Sequence, residues 1–146
     1  SAHAGLAVND NGLFVTDSQD QVWGANPADG AGRWKQEHLR YRQVTAPALI
    51  GNLIAVGDLE AYLHLLNQSD GRLVGRTRIT RKGGITARPL VAGGRLYVYA
   101  EDGTLSALTV GASPPPKARG GAQATDSASA APADMEPVPP TSQTVP

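Results

Sequence analysis

The sequence predicts an all-β chain built from repeated four-stranded antiparallel units. Three observations carry this reading. The chain repeats itself every 41 to 42 residues. Each copy opens with short runs rich in Val, Ile, Leu and Tyr, which favour pleated, half-buried strands. The runs are separated by acidic turns or Asp-Gly pairs, which suit tight reversals of the backbone.

The repeat is read directly from the residues. Leu13 to Gly30 aligns with Ile54 to Gly71 at a shift of 41. Val15 then falls on Val56, Asp17 on Asp58, Asn26 on Asn67, Asp29 on Asp70 and Gly30 on Gly71. A third copy runs from Leu96 to Val110 at a shift of 42 from the second. It places Ile54 on Leu96, Val56 on Val98, Glu60 on Asp102, Leu63 on Leu105 and Leu66 on Leu108.

Within each copy the elements follow one order. Leu13 to Thr16, Leu53 to Val56 and Leu96 to Tyr99 are apolar strands. The turns Asp17 to Asp20, Asp58 to Ala61 and Glu101 to Gly103 lead into second strands, Gln21 to Ala25, Tyr62 to Leu66 and Thr104 to Leu108. Asp29-Gly30 and Asp70-Gly71 mark a further turn, followed by outer strands at Gly32 to Lys35 and Leu73 to Ile79. Thr45-Ala46-Pro47 precedes the second copy and Thr86-Ala87-Arg88-Pro89 the third, each as a leading strand. No counterpart stands before Leu13, and no outer strand follows Thr109.

Four short antiparallel strands in about 41 residues make the size of a propeller blade. The blades are expected at about 1–36, 42–79 and 84–110, as the C-terminal portion of a larger ring continued upstream. Such a piece leaves open blade faces, so it is expected to be marginal alone or to associate. Residues 111–146 are expected to be a disordered Pro/Ala/Ser-rich tail. Ala112 to Pro146 hold eight of the eleven prolines and no aromatic residue, too little apolar surface to offset the entropy of ordering.

Composition excludes several function classes. The chain has no cysteine, which removes disulfides, thiolate catalysis and Cys-type zinc sites. Net charge is zero, so bulk charge gives no argument for nucleic acid. No apolar run approaches the roughly 20 residues of a membrane-spanning helix. No phosphate loop, nucleophile elbow or paired-carboxylate motif is present. His3, His38 and His64 lack metal-ligand spacing.

Ala25-Asn26-Pro27-Ala28-Asp29-Gly30-Ala31-Gly32-Arg33-Trp34 resembles the tryptophan-docking motif of quinoprotein-like (PQQ-type) propeller repeats. In that motif an Ala-x-Asp turn, a Gly and then a Trp four residues later pack blade against blade. Here Asn26 replaces the usual Asp, and in the second copy Gly75 stands where Trp would be. The degenerate repeats, above all Ile50 to Arg76 and Leu96 to Leu108, are similar to the last two blades of BamB-like outer-membrane assembly factors. The resemblance spans residues 1 to 110; the long tail departs from it. It implies an eight-bladed propeller that acts as a non-enzymatic scaffold at the periplasmic face of the outer membrane, held by an upstream lipid anchor. It also implies binding to the POTRA domains of BamA within the barrel-assembly (BAM) complex, with no cofactor, no catalytic residue and no metal. It marks Trp34, Gly30, Asn26, Gly71 and Asn67 as blade-docking residues, and carries over no partner-binding residue. Two alternatives stand beside it. One is a PQQ-dependent quinoprotein dehydrogenase holding PQQ and Ca²⁺; the other is an interaction module of a different periplasmic assembly.

Three further groups invite a role. Asp17, Asp20, Asp58, Glu60, Glu101 and Asp102 could form an acidic rim for a cation or basic partner, although turn chemistry alone accounts for them. Arg72, Arg76, Arg78, Arg81, Lys82, Arg88 and Arg95 cluster near one outer strand; charge that guards an edge strand accounts for most of that cluster. Trp23 is expected to pack between strands. Asn67-Gln68-Ser69 matches a glycosylation sequon whose turn role suffices.

Overall fold

The computed structural model describes residues 4–110 and the short strand 135–137. These residues form three four-stranded antiparallel sheets and, among them, no helix. The first sheet is β1 (Gly5–Asn9), β2 (Gly12–Thr16), β3 (Val22–Ala25) and β4 (Gly32–Gln36), in that spatial order. The second is β5 (Ala48–Ile50), β6 (Leu53–Gly57), β7 (Tyr62–Asn67) and β8 (Leu73–Arg78). The third is β9 (Leu90–Ala92), β10 (Arg95–Tyr99), β11 (Leu105–Val110) and β12 (Met135–Pro137). Each sheet is one blade, and the strands expected from Leu13, Leu53 and Leu96 onward fall within a residue or two of their places.

Two expectations are corrected at the blade ends. The first blade does have its leading strand, β1, which pairs with β2 from Gly5↔Thr16 to Asn9↔Gly12. In the other blades the leading strand starts just after the Thr-Ala-Pro segment, at Ala48 and Leu90. The third blade does have a fourth strand: β12, drawn from the Pro-rich tail, pairs with β11 at Leu108↔Pro137, Thr109↔Glu136 and Val110↔Met135. An open strand edge offers unpaired backbone groups, and a short extended segment can satisfy them. The remainder of the tail reading lies outside the described residues.

The turns follow from local chemistry. Gly51 (φ 57) opens the β5–β6 hairpin and Gly93-Gly94 (φ 58 and 76) forms the β9–β10 hairpin, the positive values that two-residue hairpins require. The β3–β4 and β7–β8 connections repeat one bond pattern. Gly30 N–H donates to Asn26 and Gly71 N–H donates to Asn67. The side chains of Asp29 and Asp70 accept from the backbone two residues on.

The core lies between blades rather than within them. Phe14 and Val22 of the first blade meet Ile54, Val56 and Leu66 of the second, with Leu39 and Val44 from the connection. Alternate residues of the second blade, Ala55, Leu63 and Leu65, point the other way and meet Leu96, Val98 and Leu108 of the third. This is the period-two alternation of a strand buried on both faces. The outward faces of the two end blades carry apolar side chains open to solvent: Leu6 and Val8 on one (58% and 59% exposed), Leu90 and Tyr99 on the other (63% and 55%).

Candidate functional site

Two constellations stand out, one at the seam between the first and second blades and one on the acidic hairpins within the blades. The first centres on Trp34 in β4. Its indole N–H donates to the Gln68 carbonyl at 2.9 Å. One edge of the indole fills the space that a Cβ on Gly24, its partner across β3–β4, would need. The other edge fills the same space at Gly71 of the next blade. Phe14 packs beside it, ring centroids 6.1 Å apart. Gln36 adds a second bond across the seam, its amide donating to the Gly71 carbonyl at 2.9 Å. Of the five residues marked from the docking motif, Trp34 and Gly71 are thus brought together. Asn26, Gly30 and Asn67 shape the turns: Asn26 Oδ1 accepts from Ala28 N–H, and Gly30 holds φ 76 with open space around it.

Gln68 is a member of this seam that the sequence did not mark. It is almost fully buried, and its Oε1 accepts from Asn9 (3.2 Å) and Asn11 (2.8 Å) of the first blade. Its Nε2 donates to the Gly51 and Leu53 carbonyls of its own blade. Asn67, Ser69, Asn52, Asn11 and Arg33 complete a polar groove of about 480 Å³ above it. Arg33 closes the groove by donating to the Asn11 carbonyl at 2.7 Å.

The second constellation is built on the acidic hairpins. Asp17 Oδ1 accepts from the backbone N–H of Gln19 and Gln21, and Oδ2 from Trp23 Nε1 at 2.7 Å. Asp58 repeats this one blade on, accepting from Glu60 and Tyr62 N–H, with Oδ2 2.7 Å from His64 Nε2. Trp23 and His64 occupy the same position of the repeat, so the partner changes while the bond is kept. In the third blade Ala100 takes the place of the Asp, and the backbone bond to Thr104 remains. Asp58 is fully buried, and Arg42 Nη1 reaches the same oxygen at 2.8 Å.

These partners set the charge states. Burial of Asp58 pushes its carboxyl up, but the bonds from His64, Tyr62 N–H and Arg42 outweigh it and hold the group below the usual carboxylate range. Burial raises the Asp17 carboxyl too, but the bonds from Trp23 and the turn N–H groups together outweigh it and hold the group low. Asp102 is lowered by the Thr80 hydroxyl, 2.6 Å away, and by Thr104 N–H. The other acidic residues are also engaged locally. Asp20 accepts from Val44 N–H, and Glu101 from Gly84 N–H. Among the described residues no three His, Asp or Glu side chains are placed to share a metal ion. His38 is exposed, and His3 lies outside the described residues.

Comparison with known proteins fits this geometry. A family model described as "Outer membrane protein assembly factor BamB" matches residues 42–112. The outer membrane protein assembly factor BamB of Legionella pneumophila is 41% identical over 110 residues, covering 75% of this chain and 28% of that protein. The corresponding protein of Pseudomonas aeruginosa is 38% identical over 110 residues, 75% of this chain and 29% of that one. The chain therefore spans less than a third of the length of these relatives. Among solved structures, BamB from Moraxella catarrhalis superposes with a TM-score of 0.64 at 29% identity, covering 70% of this chain and 30% of that one. A quinohemoprotein alcohol dehydrogenase from Pseudomonas putida superposes with a TM-score of 0.59 at 18% identity, over 72% of this chain and 18% of that one, and shares the fold alone. With its four-stranded antiparallel blades, inter-blade cores and PQQ-type turn, the chain belongs to the BamB family of outer membrane protein assembly factors.

Proposed function

We propose that these blades form part of a non-enzymatic scaffold subunit of the outer-membrane β-barrel assembly (BAM) complex, at the periplasmic face of the outer membrane of a Gram-negative bacterium. The observation that carries the proposal is the 41% identity over 110 residues, three quarters of this chain, to a BamB protein. In the proposal the full protein is an eight-bladed ring held by a lipid anchor, and it binds the POTRA domains of BamA. The seam residues act structurally: Trp34 and Gly71 lock one blade to the next, and Asn26, Gly30 and Asn67 hold the turns that present them. A rigid ring of this kind suits positioning of partners, because blade packing fixes its loops.

The test is an affinity pull-down of the full-length protein from detergent-solubilised envelope, with the retained proteins identified by mass spectrometry. Recovery of BamA in near-equal amount supports the proposal. Recovery of no barrel-assembly component by a folded bait overturns it. PQQ-dependent dye reduction by the full-length protein would instead establish the dehydrogenase reading; the likeness to such enzymes at 18% identity carries fold and no chemistry.

A further inference from the structure

The outer strand of the second blade carries a cluster that neither the fold nor the proposed function uses. Arg76 and Arg78 sit on one face of β8, opposite His64 and Tyr62 of β7. Their guanidinium groups lie 4.7 and 5.1 Å from the centre of the Tyr62 ring, and Arg42 approaches the same ring at 5.9 Å. Three cations around one aromatic ring repel one another, and the ring's negative face offsets only part of that repulsion. Arg42 is neutralised by Asp58 and reaches Glu60 at 3.8 Å. Arg78 Nε donates to the Glu60 carbonyl, which orients its fork. Among the described residues no carboxylate pairs with Arg76 or Arg78.

The connection beside this cluster is strained and exposed. Tyr41 and Gln43 hold φ 70 and 55, a region that side-chain-bearing residues enter at a cost. Tyr41 is 84% exposed, with Arg40 over its ring at 5.3 Å. Tyrosine and arginine held in advance on a rigid surface are the residue types that dominate protein interfaces.

From this arrangement we propose that the Tyr62–Arg76–Arg78 face is a docking site for an acidic, extended protein segment. Arg76 and Arg78 are two residues apart on one face of a strand, so their heads project about 7 Å apart. An extended partner with carboxylates at alternate positions has the same spacing and can pair with both, each guanidinium taking one carboxylate. Glu60 lies beside Arg42 and Arg78, which disfavours a uniformly anionic lipid surface and suits a partner with placed charges. This inference goes beyond the scaffold role and does not depend on BamA being the partner.

The test is fluorescence anisotropy of the full chain with a labelled Glu-Thr-Glu-Thr-Glu-Thr-Glu-Thr peptide, and with an isomer of the same composition in which the glutamates are contiguous. Binding of the alternating peptide at least threefold tighter than the isomer is expected. R76Q/R78Q should weaken it tenfold or more, while Arg95→Gln in β10, a control for overall charge, should leave it within twofold. R76E/R78E should bind the matching Lys-Thr peptide instead, which keeps the test decisive if one variant folds poorly. No binding, equal loss with Arg95→Gln, or binding only to phosphatidylglycerol vesicles would overturn the proposal.

Discussion

The indole of Trp34 occupies the volume that a Cβ on Gly71 would need, so at this point of the seam between the first two blades a side chain meets bare backbone. Trp34→Ala removes that contact, the packing on Phe14 and the bond to the Gln68 carbonyl together. It should lower stability by about 3–5 kcal/mol, read as a shift in urea midpoint. Gly71→Ala should be comparably damaging, since it combines a clash with the ring and a φ of 77.

Gly24 and Gly75 form a matched pair for a second test. In the first blade Gly24 opposes Trp34; in the second, Leu65 opposes Gly75, so large and small have changed strands. A Cβ on Gly24 would enter the indole, whereas one on Gly75 would meet only Leu65 Cδ1 at 3.9 Å. Gly24→Ala should therefore destabilise by about 1–3 kcal/mol. Gly75→Ala should be neutral or stabilising by about 0.5 kcal/mol. Thermal melts of the two variants side by side check the contrast.

Asp58 couples the second hairpin to pH. Its carboxyl is held below the usual carboxylate range in the folded chain. Its contribution is therefore complete above the unfolded value of about 3.9 and is lost as pH falls through the lower folded value. Asp58→Asn should lower stability at neutral pH by about 3 kcal/mol, because His64 and Arg42 lose a buried charged partner. The gap to the wild type should then narrow below about pH 4. Chemical denaturation between pH 7 and pH 3 would reveal it. A constant gap would mean that the carboxylate's charge contributes nothing.

Thr16 offers a gain. Its hydroxyl is fully buried with no partner among the described residues. Thr16→Val keeps the shape and removes the unsatisfied group, and should raise stability by about 1 kcal/mol. Gln68→Leu should do the reverse, at a loss of about 1–3 kcal/mol, by removing the bonds from Asn9 and Asn11 and those to the Gly51 and Leu53 carbonyls. Both are read from the same denaturation curves.

Much of this architecture was legible because the period of the repeat aligns strands, turns and even single bonds. What escaped had weak local signals. β1 lacks the Thr-Ala-Pro lead, so the repeat does not mark it, although Leu6, Ala7 and Val8 suit a strand. β12 is formed by Met135–Pro137 within a proline-rich stretch, and only the open edge of β11 makes it a strand. Reading Gly75 as a lost tryptophan missed Leu65, because compensation across two strands is visible only with their register. The Asp58–His64 pair could have been found: it has the six-residue spacing of Asp17 to Trp23, at matching repeat positions. Gln68 carried no seam signal, since its four side-chain partners come from two hairpins of different blades, β1–β2 and β5–β6.

Because each core is shared by two neighbours, a single blade has no interior of its own. The repeating unit of the sequence is the blade, but the unit of cohesion is the joint between blades. Damage to one joint leaves the next intact, so a faulty chain would part along a seam before any sheet unravels. The outermost sheets, each gripped from one side here, would exchange their amide protons well before β6 and β7 do.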